Sequence, residues 1–199
     1  MNIIRREFYN RNTIDVAKDL LGKILVRVTK GKILSGIIVE SEAYRSIDDP
    51  ASHSYRGKTE RNSVMFGEVG HAYVYFTYGN HYCLNIVSRE DTVPAGAVLI
   101  RALEPLKGIK HMQKYRNTND LYSLTNGPGK LTKALDVTKQ QNRADVTRKS
   151  ELYILNNMKV DSSSIISTAR IGILVALDKQ WRFLIADNEF VSRTVKKNT

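Results

Sequence analysis

Apolar positions at the start of the chain change spacing twice within thirty residues. Ile14, Val16, Ala17, Leu20 and Leu21 fall at helical intervals after Asn12 and Thr13 and stop at Gly22. That spacing predicts a short amphipathic helix, N-capped by Asn12 or Thr13 and ended by the glycine. Residues 23–28 then alternate polar and apolar, Lys30-Gly31 interrupts them, and a second run covers 33–42. This is the pattern of a hairpin with Glu42 at its far end. The unbroken apolar triplet Ile37-Ile38-Val39 implies that the second strand is buried on both faces. Residues 45–62 are polar, include Pro50 and Gly57, and predict a long loop, the kind of segment that often carries function.

Further along, β-branched and aromatic runs at 72–78 and 82–88 flank the turn-forming Gly79-Asn80-His81. A strand is predicted at 98–103, ended by Glu104-Pro105, then a helix at 106–115. Asn126-Gly127-Pro128-Gly129 reads as a turn entering a helix that runs through Leu135. Past Leu152, short apolar runs at 153–155, 171–177 and 182–185 alternate with turns and predict more strands. Internal repeats, heptads and low-complexity linkers are absent from the sequence. The expected fold is α+β, a single domain over residues 1–199 with a mixed, mostly antiparallel β-sheet and peripheral helices.

Composition narrows the class. An apolar content of 42% with 26% charged residues is ordinary for a globular chain and argues against wholesale disorder. The lone Cys83 can form no internal disulfide, which points to a reducing compartment. The N-terminus has no apolar core of signal-peptide length, and no apolar run approaches a membrane span. A cytoplasmic protein is therefore expected, nucleoid-associated if bacterial. A net charge of +11 fits either a basic surface or attraction to phosphate, and charge alone does not separate the two. The aromatic segment does. Residues 73–85 pack four tyrosines, a histidine and two asparagines into thirteen positions. Flat rings in a cationic protein suit an anionic ligand made of stacked bases.

Glu40 and Glu42 share a face on a regular strand, because the side-chain period is two. Such a pair could act as acid and base, or could be two solvated charges on an open sheet. Glu42, followed by Ala43 and Tyr44 at the loop mouth, is the better candidate for chemistry. Tyr73, Tyr75 and Thr77 share one face of their strand, and Val74, Phe76 and Tyr78 share the other. Half-buried core aromatics are the ordinary meaning of that pattern. Tyr78 differs, because it precedes the turn at Gly79, where a ring is well placed to wedge between bases. His53 lies on the long loop and reads equally as a solvated residue. The four histidines have no metal-ligand spacing, so neither metal nor cofactor is expected. Gly127-Pro128-Gly129-Lys130 could seat one phosphate or be a plain turn.

With these residues in view, the sequence resembles the alkyladenine (3-methyladenine) DNA glycosylase family. The matching blocks are Val39-Glu40-Ser41-Glu42-Ala43-Tyr44, Ala51-Ser52-His53-Ser54, Arg61-Asn62, residues 73–85 and residues 99–105. Weaker echoes occur at Gly127-Pro128-Gly129-Lys130-Leu131 and Ala169-Arg170-Ile171-Gly172. The resemblance runs from about residue 7 to residue 192, and the blocks are specific when taken together in order. It implies a monofunctional enzyme that flips alkylated or deaminated purines out of duplex DNA and hydrolyses the N-glycosidic bond, with no lyase step. By the same resemblance, Glu42 activates water, which Arg101 and the backbone carbonyl of Ile171 help to hold. Tyr44, His53 and Tyr75 would sandwich the extruded base, Asn85 would disfavour guanine, and Tyr78 would fill the gap in the stack. Arg61 and Lys130 are assigned to the DNA backbone, and a monomer acting on double-stranded DNA is expected. Two other readings remain at this stage: a non-catalytic binder of damaged bases, and a basic RNA-binding module with stacking rings.

Overall fold

The computed structural model describes residues 1–77 and 79–192. The predicted hairpin is formed by β1 (Ile24–Thr29) and β2 (Lys32–Arg45). Between them Lys30 and Gly31 both adopt left-handed backbone, with φ of 47° and 69°. Only such a turn matches the twist of the two strands it joins. The predicted helix forms as α1 (Thr13–Asp19), where the Asn12 side chain accepts from the Ile14 amide at 3.0 Å. It packs on β2, and the Ser41 hydroxyl donates to the Ala17 carbonyl at 2.7 Å.

β2 organises the sheet. Along one edge it pairs with β5 (Gly96–Lys107) over nearly its whole length. Along the other it pairs first with β1 and then, from Glu40 to Glu42, with β8 (Arg182–Ile185). The hairpin of β3 (Ala72–Thr77) and β4 (His81–Val87) extends the sheet beyond β5. β6 (Leu152–Leu155) flanks β1, and β7 (Ile165–Thr168) flanks β8. Every pairing among these strands is antiparallel. Ile38 lies in the main apolar core, whereas Val39 packs with Ala102, Leu184 and Val191 in a second cluster. The strand is thus covered on both faces, as its apolar triplet predicts. The helices α2 (Ile109–Arg116) and α3 (Pro128–Ala134) lie against each other, and α3 also packs on β4. A Cβ on Gly129 would stand 2.8 Å from His81 Cγ, so glycine is what lets the start of α3 approach the β3–β4 turn.

Two expectations fail. β5 does not end at Glu104-Pro105 but continues to Lys107. Pro105 lies opposite Gly36 at a register shift, a place where a missing amide hydrogen is tolerated in a strand. Residues 171–177 are not a strand. Gly172 and Ala176 adopt left-handed φ of 80° and 55°, which breaks extended backbone, and the segment is a loop with Leu174 93% exposed. Tyr78, the expected wedge, lies outside the described residues.

Candidate active site

Where β2 faces β5, Ile38 pairs with Leu103, Glu40 with Ala102 and Ser41 with Ile100. Val39 is therefore an extra residue on one strand and Arg101 an extra residue on the other. Bulges of this kind re-aim a side chain that regular pairing would place elsewhere. Here the Arg101 guanidinium lies between the two carboxylates, with Nε 2.9 Å from Glu40 Oε1 and Nη1 3.3 Å from Glu42 Oε2. Both glutamates are fully buried, so neither is a solvated charge.

Their surroundings differ. Glu40 accepts from Arg101, from Arg182 Nε at 2.7 Å, and from the Ser192 amide and hydroxyl at 2.6 and 2.8 Å. Burial alone would push its pKa up, but the two guanidiniums and the Ser192 amide hold it below the usual carboxylate range. Glu40 is an anchor for Arg101. Glu42 accepts at Oε1 from the Ile171 amide at 2.8 Å and at Oε2 from the Tyr44 hydroxyl at 2.7 Å, and Oε2 forms an ion pair with Arg101. Each carboxylate oxygen can take two hydrogen bonds, so among the described residues Oε1 keeps one acceptor position open. Burial, and next the Glu42 charge, push the Tyr44 phenol well above its ordinary value, so it is the donor in this contact.

All three partners of Glu42 line a cavity of about 200 Å³. Glu42 itself stands just behind that wall. The volume lies below the roughly 300–1,000 Å³ of pockets for drug-sized ligands and suits one flat ring system. His53 and Tyr75 form one ring wall, with centroids 4.6 Å apart and planes at 68°. Tyr73 supports it, with its hydroxyl 3.0 Å from His53 Nδ1 and its ring 5.3 Å from Tyr75. Burial lowers the His53 pKa, with Arg61 adding to the effect, and burial pushes Tyr73 up to about 12. All three rings are thus uncharged at neutral pH. Asn85 lines the cavity with its side-chain amide donating to the Tyr73 carbonyl at 3.0 Å.

The profile of the methylpurine-DNA glycosylase family matches residues 7–189. The chain belongs to the methylpurine-DNA glycosylase family. A protein of Carboxydothermus hydrogenoformans is 48% identical over 96% of this chain and 99% of its own length. Others from Prosthecochloris aestuarii and Desulfitobacterium hafniense are 46% and 45% identical, over 97% and 96% of this chain and 92% and 99% of their own lengths. Each of the three carries the name "Putative 3-methyladenine DNA glycosylase". Membership of a DNA glycosylase family makes the chain an enzyme of the class that hydrolyses N-glycosyl bonds.

In this methylpurine-DNA glycosylase family member, seven of the residues singled out from sequence meet in one place. Tyr44, His53, Tyr75, Asn85, Arg101 and Ile171 line the cavity, and Glu42 backs it. Ile171 enters through its amide, which holds Glu42, whereas sequence resemblance assigned a role to its carbonyl. Arg61 and Lys130 are not in the cavity wall. Arg61 donates to the Phe76 carbonyl at 3.1 Å and lies 5.6 Å from the Tyr75 ring. Lys130 donates to Asn126 at 2.7 Å. Gly127 is the N-cap of α3 and Pro128 opens the helix, with no side-chain capping bond. Among the described residues no three His, Cys, Asp or Glu side chains cluster as metal ligands, and no helix is long and apolar enough to cross a membrane.

Sequence reasoning missed Asp49 and Arg170. Their side chains are fully buried and joined by two contacts of 2.6 Å, pinning the loop that carries His53 to the loop that carries Ile171. No local signal announces the pair. Asp49 precedes a proline in a polar loop, where a solvated turn residue is the natural reading, and its partner is 121 positions away.

Proposed function

We propose that this chain is a monofunctional repair glycosylase that acts, as a monomer and a single catalytic domain, on alkylated or deaminated purines in duplex DNA. The damaged nucleotide swings out of the stack and its base enters the ring-walled cavity, between Tyr44 and the wall of His53 and Tyr75. Asn85, held at the Tyr73 carbonyl, meets the edge of the base where guanine carries its amino group. A water docked on the open acceptor position of Glu42 Oε1 attacks the sugar C1′ and gives its proton to the carboxylate. The C1′–N bond breaks, and its electron pair leaves with the purine. Arg101 and the Ile171 amide fix the orientation of Glu42, and the carboxylate stabilises the oxocarbenium character at C1′. An alkylated purine begins cationic and departs neutral, which makes it the better leaving group.

The observation that carries this reading is a fully buried carboxylate held by two hydrogen bonds and an ion pair from residues that themselves line the cavity. The burial of Glu42 behind the wall favours a second reading, in which the carboxylate is structural and the protein binds everted bases without cleaving them. One experiment separates the two. Duplexes bearing a single 3-methyladenine, 7-methylguanine, hypoxanthine or ethenoadenine are incubated with the protein, and alkali then reveals abasic sites. The expected result is alkali-dependent cleavage of at least one duplex, with strands intact before alkali. Glu42→Gln should lose release by about 100-fold or more while retaining lesion binding. Undiminished release by that variant would dismiss Glu42 as the base.

A further inference from the structure

The Tyr44 ring has a cation on its back. Arg170 Cζ lies 4.6 Å from the ring centroid, and the Arg170 side chain is fully buried and absent from the cavity wall that Tyr44 lines. The guanidinium therefore covers the ring face turned away from the cavity. Nη1 also donates to the Ala43 carbonyl at 2.9 Å, the residue preceding Tyr44, and both terminal nitrogens bond Asp49. These bonds hold the cation against the ring.

An aromatic ring attracts cations through the electron density on its faces. A guanidinium against one face draws on that density and repels a second cation at the other. A neutral purine stacked in the cavity feels little of this, whereas a purine alkylated on a ring nitrogen carries positive charge until its bond to the sugar breaks. Asp49, on the far edge of the guanidinium, offsets part of its field. Resting on the glycosylase reading, we propose that Arg170, with Asp49 as its counter-charge, sets how strongly the site favours cationic over neutral purines, acting through Tyr44. Arg170 is a specificity-determining residue that touches no substrate. Its influence falls on binding, because the base loses its charge as the transition state forms.

The test measures single-turnover excision at rising protein concentration on duplexes with one 7-methylguanine, which is cationic, or one hypoxanthine, which is neutral. Half-saturating concentration and limiting rate are read separately. Two variants are compared with the unaltered chain after thermal melting confirms that they fold. Arg170→Met with Asp49→Leu removes the ion pair whole, an exchange for apolar side chains that buried pairs often tolerate. It should lower the half-saturating concentration for 7-methylguanine relative to hypoxanthine by about three- to tenfold, and the limiting rate with it, since the relief falls on the bound ground state and not on the transition state. Asp49→Asn strips the counter-charge and should move the same ratio the opposite way. An unchanged ratio in the folded double variant overturns the proposal, as do shifts of the same sign in both variants, the mark of a merely structural pair. If the unaltered chain releases neither base, it is the glycosylase reading that fails.

Discussion

Tyr44 joins the two halves of the site in one side chain. Its ring is cavity wall, and its hydroxyl is one of two hydrogen-bond donors that hold Glu42. Removing only the hydroxyl separates these roles. In Tyr44→Phe the stacking surface persists, while Oε2 of Glu42 keeps Arg101 alone. A hydrogen bond to a charged group contributes about 1.5–3 kcal/mol, and on the proposed mechanism part of that is orientation of the carboxylate toward C1′. The single-turnover rate should fall about tenfold with lesion affinity unchanged, whereas Tyr44→Ala should lose both. If Tyr44→Phe weakens binding and spares the rate, the phenol contacts the base and not the carboxylate. Glu42 and Tyr44 sit two apart on one strand, which places them on one face, but the bond between them was not read from the sequence, where Tyr44 entered only through resemblance. Asp49 and Arg170 gave not even that much, because what makes them functional is a pairing that only the folded chain creates.

At the level of elements, the back-to-back bulges of β2 and β5 turn a plain sheet into a site. Strand existence was legible from alternation and from the apolar triplet, and the hairpin from Lys30-Gly31. The bulges were not, because register is a property of two strands and no single stretch encodes it. The same limit explains why β5 runs past Pro105 and why residues 171–177, apolar enough for a strand, are held as a loop by left-handed Gly172 and Ala176. The bulge places Arg101 against Glu40, so Glu40 carries the local stability. Its folded pKa lies below the ordinary 4.5, so on acidification the unfolded chain takes up the proton first. The contribution is complete above about pH 4.5 and disappears as the pH falls through the folded value. Thermal melts between pH 7 and pH 3 should show stability falling at the acid end. Glu40→Gln should flatten that fall and cost about 3–5 kcal/mol at neutral pH, since Arg101 and Arg182 would lose their buried counter-charge. A variant whose melts run parallel to the unaltered chain at every pH would show that Glu40 anchors nothing.

For the molecule as a whole, charge and cavity divide the labour of recognition. On the proposed reading, thirty-one lysines and arginines against twenty acids act on any duplex, damaged or not, and the cavity acts on one base. The two contributions respond differently to salt. Phosphate contacts release counterions, so the logarithm of affinity falls with the logarithm of salt concentration by about 0.9 per contact. Stacking in the cavity has no such dependence. Binding of the chain to duplexes with and without one lesion should therefore give parallel lines against salt, offset by the cavity's contribution. Arg61 and Lys130, both outside the cavity wall, belong to the charge component on this reading. Arg61→Ala and Lys130→Ala should each reduce the slope by about one and weaken both duplexes equally, preserving the offset. Asn85→Ala should do the reverse, shrinking the offset with the slope intact. Should Arg61→Ala change the offset instead, its 5.6 Å approach to the Tyr75 ring is the contact that matters, and Arg61 moves from the phosphate surface to the wall of the base pocket.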